Sequence, residues 1–589
     1  MRQREAQLRY RAALLLATAL ALAAVASPAR AEAIRFGDIA VTSLPVPSCD
    51  SLHGYVEYRF AVENRSVTQP HEVRIALPEG GGREGAALSE ISRAVVVAPG
   101  ATVTVSVPQC GLSMQGDGAA VSIDGRRQRE TLRVGIENHG CGRYMSRPAN
   151  TLCVILASRG VPFPAPGEKD PFNLARAEQD VREWSAEWLA YSRFDGIIIA
   201  SDEMERMPPP VRLAIIRYVE CGGTLQVVGD WKPPPEWGAT DPSSAAARAF
   251  GLGFGVCVVN TQTGYTASDP SRLLSVANDT AAPLRNVRSV EDANREFPVV
   301  EDIRLPVRGM LVLMLAFVIV IGPVNLFILS RLNKRIWLLV TVPLIALLTG
   351  GLMFGYSIVS EGFEGHCRTA TLTLLDETTG RATSLGWAAY YSPLATREGL
   401  HFSYQTELNP QISADRGYSY RASEATSGNR TVDWTEDQHL ASGWLAARVP
   451  VHFTFRKSEV RRERLAVHTG AGGKITVVNG LGVPIKQLTL ADREGRFHEA
   501  ENIPAGAEVA LEPLDIKAGA TENLRNLYKG VWLPIISDRA RTQRTCSKPL
   551  TYIAVLDGSP FTDNAMPAAR EQGSIAVVYG IGGGRADGN

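Results

Sequence analysis

The sequence predicts a multidomain chain, part α/β and part all-β, organised around a two-helix membrane hairpin. Three observations predict it. Two long mid-chain runs carry no charge, both outer regions alternate apolar and polar residues with period two, and one stretch between them alternates continuous apolar runs with amphipathic ones. A chain of 589 residues is too long for one core, so three or four domains are expected.

The N-terminus reads as a signal peptide over residues 1–31. Arg2, Arg4, Arg9 and Arg11 form a basic leader before the apolar run Ala12–Ala26, and Ala29-Arg30-Ala31 places small residues where a signal peptidase cuts, after Ala31. An uncleaved anchor at this place would export the downstream chain equally well.

Residues 32–145 read as short strands and turns. Tyr55–Val62 alternates strictly, and Val73–Leu77, Arg93–Val97, Thr102–Val107 and Thr131–Ile136 show the same pattern, with Pro99-Gly100 as a tight turn. This spacing predicts an immunoglobulin-like β-sandwich, resembling bacterial extracellular sandwich modules.

Over residues 146–300 the rhythm changes. Thr151–Ala157, Phe194–Ala200 and Thr224–Val228 read as buried strands, and Pro208–Glu220 as a helix stopped by Gly222-Gly223. Leu174, Ala177, Val181, Trp184 and Trp188 recur at three- and four-residue steps, which predicts another helix. Strands alternating with helices imply right-handed crossovers and a small parallel sheet.

FDGIIIAS followed by VRLAIIRYVECGGTLQVVGDW resembles a class I glutamine amidotransferase-like domain. It is most similar to the inactive versions in bacterial membrane proteins and in auxiliary subunits of ABC-type gliding and export systems. Active members carry a cysteine nucleophile on the turn after the strand corresponding to Thr224–Val228, where this chain has Gly229-Asp230-Trp231. Cys221 precedes that strand, and no His–Glu pair follows it within this domain, whose segment is without histidine. The resemblance therefore implies the fold without amidotransferase chemistry.

Residues 301–361 form the expected hairpin, with spans over 309–329 and 336–358. At about 1.5 Å per residue each would cross a hydrocarbon core of roughly 30 Å. Asn325 is expected to face the partner helix as polar glue. The connector 330–335 carries Arg331, Lys334 and Arg335, which places it in the cytoplasm and both large regions outside. GPVNLFILSRLNKR also resembles a recurrent segment of uncharacterised bacterial membrane proteins with this layout.

Residues 362–589 read as an extracytoplasmic β-rich region, with strands at Thr369–Leu375, His452–Phe455, Gly473–Gly480 and Ile485–Leu490, and a flexible tail from Gly580. The run Arg456–Arg464 mixes Lys/Arg with Glu and reads as solvated. Eight cysteines in an exported chain favour disulfides, and the pairs Cys49–Cys110, Cys221–Cys257 and Cys367–Cys546 respect the domain boundaries.

Sixty-one Lys+Arg balance sixty-one Asp+Glu, so no net field attracts nucleic acid. No Walker loop or GxGxxG supports nucleotide binding, and the nine scattered histidines and absent CxxC support neither metal nor cofactor. Ser201, Asp202 and Glu203 at the end of Phe194–Ala200, with Asp230 and Trp231 on the same sheet edge, stand where open α/β sheets bind ligands, and solvated loop acids are the plainer account of them. The expectation is a non-enzymatic scaffold or binding protein of the bacterial envelope in the inner (plasma) membrane, with both large regions periplasmic. Its expected partners are the lipid bilayer and other envelope proteins. An accessory subunit of an ABC-type export or motility complex, or a hydrolase working through Asp202 and Asp230, are the alternatives.

Overall fold

The computed structural model describes residues 33–47, 53–78, 88–112, 118–134, 136–137, 153–161, 172–235, 237–244, 247–261, 277, 284, 288–299, 307–332, 335–361, 364–394, 398–412, 429–470, 474–514 and 549–582. The expected signal segment 1–31, Cys49, Cys141, Cys546 and the residues beyond Gly582 lie outside the described residues.

The first region contributes β1 (Ala33–Phe36), β2 (Ile39–Leu44), β3 (Val56–Asn64), β4 (His71–Leu77), β5 (Glu90–Val97), β6 (Thr102–Gln109), β7 (Gly118–Ile123) and β8 (Arg126–Arg133). One sheet runs β1-β2-β3-β6, and β5-β4-β7-β8 form part of a second. The alternation read in the sequence is the burial pattern: Phe60, Val62, Val73, Ile75 and Val105 are sealed between the sheets.

The second region builds a seven-stranded mixed sheet from β9 (Cys153–Ala157), β10 (Phe172–Arg176), β11 (Gly196–Ala200), β12 (Thr224–Val228), β13 (Gly238–Ser244), β14 (Ala247–Leu252) and β15 (Gly255–Asn260). Its order is β10-β9-β11-β12-β15-β14-β13. The first five strands are parallel, and β14 and β13 add antiparallel pairs at one edge. Helices α1 (Ser201–Arg206) and α2 (Pro209–Glu220) connect β11 to β12. Gly222, at φ +103°, ends α2 where the Gly-Gly pair predicted a stop.

No helix forms over 174–188, which corrects the periodicity reading. Phe172–Arg176 is a strand in register with Cys153–Ala157, followed by two 3-10 turns at Val181–Glu183 and Trp188–Tyr191. A three-residue repeat suits 3-10 turns as well as an α-helix, and here it buries Val181, Trp184 and Trp188 that way.

Helix α3 (Val290–Glu296) precedes two helices long and apolar enough to cross a membrane. The first joins α4 (Val307–Ile319) to α5 (Asn325–Arg331) through a π-helical turn at Val320–Val324, and the second is α6 (Leu338–Glu361). Pro323 lies inside the π turn, where the wider loop accommodates a residue without an N–H. Asn325 meets the second helix as expected, its Nδ2 donating to Thr341 Oγ1 at 3.0 Å. Asn325→Ala is expected to weaken hairpin packing by about 0.5–1.5 kcal/mol. A double-mutant cycle with Thr341→Val, read by unfolding in detergent, checks this; additive effects would assign the loss elsewhere.

The last region contributes β16 (His366–Asp376), β17 (Arg381–Tyr391), β18 (Leu400–Phe402), β19 (Glu407–Pro410), β20 (Thr431–Asp433), β21 (Gln438–Leu440), β22 (Val451–Val460), β23 (Arg464–Thr469), β24 (Ile475–Gly480), β25 (Ile485–Ala491), β26 (Phe497–Ile503), β27 (Glu508–Ala510), β28 (Glu512–Leu514), β29 (Thr551–Leu556) and β30 (Ile575–Ile581). A ten-stranded sheet takes the path β19-β22-β17-β16-β30-β29-β25-β26-β28, its tenth member being the two-residue strand Arg570–Glu571 that pairs with β16 off this path, and β23-β24-β27 form a small sheet.

Three strands of this region leave it. β18, β21 and β20 complete the N-terminal region's second sheet, in the order β18-β21-β20-β5-β4-β7-β8. β20 runs parallel to β5, with Thr431, Val432 and Asp433 opposite Glu90, Ile91 and Ser92. Arg74 Nη2 reaches Asp433 Oδ2 at 3.1 Å, and Trp434 donates its N–H to Ser92 O at 2.7 Å. One core cluster accordingly takes in Phe60 and Val73, Leu156 and Val227, and Tyr390, Trp434 and Phe453. Chain segments on either side of the apolar hairpin thus fold as one body.

Candidate functional site

In an open α/β sheet ligands bind beyond the carboxyl ends of the strands, at the point where strand order reverses. Here that point lies between β9 and β11. Ser158 and Gly160 come directly after β9, while α1 starts directly on β11. The crevice is filled by the chain itself: Glu203 accepts the Ser158 hydroxyl through Oε2 and the Gly160 N–H through Oε1, the latter at 3.0 Å. Glu203 is 4 % exposed, and a Cβ on Gly160 would collide with its carboxyl carbon at 2.7 Å. A carboxylate placed there satisfies the donors that would otherwise face an anionic ligand.

The expected cleft residues stand around this plug. Ser201 opens α1 and touches Gly229 on the neighbouring strand end. Asp202 is solvated, its carboxylate paired with Arg206 Nη2 at 2.9 Å one turn later. Asp230 is exposed, and half-buried Trp231 packs edge-on against Trp237 at 5.6 Å. The sequence grouped Glu203 with Ser201 and Asp202 as loop acids at this strand end, without foreseeing its burial, and passed over Ser158 as a site residue. The available signal was Ser158-Arg159-Gly160 directly after a buried strand.

The turn after β12 has its own geometry. Gly229 has φ +118° and donates its N–H to Asn260 O at 2.8 Å. A Cβ here would lie 2.2 Å from Ser201 Oγ. No side chain fits at the place where the resemblance puts a nucleophile.

A second concentration of polar groups lies where the three regions meet. His53 Nε2 and Asp195 Oδ1 are 2.7 Å apart, and Asp195 Oδ2 accepts the Val154 N–H. The Tyr55 N–H donates to Ser192 Oγ, and Gln438 Nε2 and Leu408 N donate to the Tyr55 hydroxyl. Arg456, on β22, donates from Nε to Glu407 Oε2 at 2.7 Å, from Nη1 to Cys221 O, and from Nη2 to Ser192 O. Nearby, Glu220 at the end of α2 accepts two bonds from Arg381 Nε and one each from Arg381 Nη2 and Ser458 Oγ. Arginines at the carboxyl end of α2 complement its dipole. Arg456 and Lys457 are 4 % and 1 % exposed, which corrects the solvated reading of Arg456–Arg464 at its first two residues. Lys457 is held by Asp563 and Glu459 at 2.9 and 3.0 Å.

Glu57 is the buried carboxyl of this junction. Its Oε1 accepts the Ser106 and Ser185 hydroxyls, while Oε2 has no partner among the described residues. A cavity of about 20 Å³, one water in size, adjoins it beside Arg59, Trp184 and Tyr191. Burial holds the carboxyl pKa above its ordinary value despite the Arg59 charge. A raised folded pKa contributes stability that is full below the unfolded value and fades as pH rises through the folded one. Glu57→Gln is therefore expected to match wild type at acid pH and to exceed it increasingly towards neutrality, every tenfold displacement of the proton equilibrium being worth about 1.4 kcal/mol. Thermal unfolding from pH 4 to 8 checks this; a constant offset would remove Glu57 as the titrating group.

The expected Cys221–Cys257 disulfide is not formed: both are buried free thiols. Cys221 caps α2 while Cys257 lies within β15 opposite Leu225, and a bridge demands close, mutually directed Cβ atoms. Burial raises both thiol pKa values, so neither is a ready nucleophile. Cys110 is likewise pushed up to about 12 and Cys367 to about 11, both free, their expected partners lying outside the described residues. Among the described residues no group of three or more His, Cys, Asp or Glu is arranged to hold a metal.

No protein-family model matches this sequence, and no curated protein matches it.

Proposed function

We propose that the chain is a non-enzymatic scaffold of the bacterial envelope, anchored by its helical hairpin in the inner membrane with both large regions outside the cytoplasm. The carrying observation is the pairing of β20 with β5: segments before and after the hairpin share a sheet and a core, so they occupy one side of any bilayer the helices cross. The basic connector with Arg331 and Arg335 favours the cytoplasmic side for the hairpin's tip. The N-terminal sheets read as an immunoglobulin-like sandwich. The α/β region reads as a degenerate amidotransferase-like domain, and the order β10-β9-β11-β12-β15 supports that reading. Loss of chemistry is supported by Gly229 at the elbow, by Glu203 within the crevice and by the solvated pairing of Asp202.

Cleavage sites for a specific protease, inserted at the Pro99-Gly100 turn, the Glu494-Gly495 turn and the 332–335 connector, test the arrangement in intact spheroplasts. Cutting at both turns and protection of the connector is expected. The reverse pattern overturns the topology, and a hydrolase activity lost on replacing Ser201 or Asp230 overturns the scaffold reading.

A further inference from the structure

The chain has no net charge, yet two sheet edges carry strong and opposite charge. β8 is the terminal strand of the seven-stranded sheet and reads Arg-Arg-Gln-Arg-Glu-Thr-Leu-Arg. Arg126, Arg129 and Arg133 are exposed, and none forms an ion pair among the described residues. A register shift against β7 bends this edge, which makes it a poor template for a further strand and leaves its side chains as the contact surface.

A second surface is acidic. Residues 497–514 hold four glutamates and no lysine or arginine. β28 is the terminal strand of the ten-stranded sheet, and its Glu512 lies directly opposite Glu499 on β26. Like charges facing across a strand pair destabilise it, so this cross-strand pair carries a local cost that a cationic surface would offset. Glu512 on β28, Glu501 on the adjacent β26 and Glu508 on β27 of the small sheet are exposed and form no ion pair among the described residues. The two edges belong to different sheets.

We propose that the arginine edge of β8 docks on the acidic surface carrying Glu501, Glu508 and Glu512 of a second copy of this chain. The contact is heterologous, two different surfaces of the same molecule, so it assembles chains head to tail. Charge complementarity selects the second copy as occupant: β8 carries four arginines against the single exposed Glu130, and the facing surface carries glutamates with no lysine or arginine over 497–514. Exposed pairs are individually weak and screened by salt, so the association is salt-sensitive.

Sedimentation of the full-length protein in detergent micelles at low and high ionic strength tests this. Wild type is expected to form oligomers at low salt that dissociate at high salt. Arg126→Glu/Arg129→Glu/Arg133→Glu should weaken association about 10-fold or more, and Glu501→Arg/Glu508→Arg/Glu512→Arg should do the same. Mixing these two variants restores the complementary contact and should restore oligomers, a result that misfolded variants could not give. A wild type that is monomeric at low salt, reversals that associate like wild type, or a mixture that stays monomeric each overturns the proposal. Reversals without effect would mean that the charges serve only to keep the edges from aggregating.

Discussion

Arg456→Ala is expected to destabilise the protein by about 3–5 kcal/mol, the cost of leaving a buried carboxylate without its counter-ion. Glu407 is wholly buried, and Arg456 is its charged partner at 2.5 Å. The same guanidinium holds the carbonyls of Cys221 and Ser192, so its loss also frees two acceptors where the α/β region meets the C-terminal sheet. Denaturant unfolding in detergent measures the effect. The double variant Arg456→Met/Glu407→Leu should recover most of it, because apolar replacement of a whole buried pair is often neutral. A double variant as unstable as the single one would show that the guanidinium's bonds to the neighbouring region, rather than the ion pair, carry the stability.

Gly229→Cys is expected to cost about 2–4 kcal/mol, combining left-handed backbone strain with overpacking against Ser201. The variant carries a thiol where the resemblance would place a nucleophile, and glutamine hydrolysis should nevertheless stay at background. Ser201→Gly in the same chain should return the packing part, since Ser201 Oγ is the nearest atom to the added Cβ. Glutaminase activity in the single variant would contradict the reading of a closed site.

The features legible in the sequence were those that local pattern determines. The strands around Val73, Ile197 and Leu225, the helix from Pro209 to Glu220 and the uncharged spans all derive from periodicity and stop signals. Asn325 was legible because a lone amide in an apolar span has few possible partners. Arg456 and Lys457 were not legible: they alternate with acids as surface residues do, and their burial depends on Cys221, 235 positions away, and on Asp563, 106 away. The burial of Glu203, read with its neighbours as a solvated loop acid, was obscured in the same way, since the loop after β9 is what seals it. The 174–188 segment misled because its three-residue step is shared by two kinds of helical turn, and the parallel partner Cys153–Ala157 then decided its first part in favour of a strand.

The parallel pairing of β20 with β5 also fixes an order of events during synthesis. Glu90–Val97 leaves the ribosome long before Thr431–Asp433, with both apolar helices emerging in between. At typical elongation rates the wait is on the order of tens of seconds. Throughout it the nascent N-terminal sheet presents a bare flank on Glu90–Val97, which is covered only once the final third of the chain has arrived.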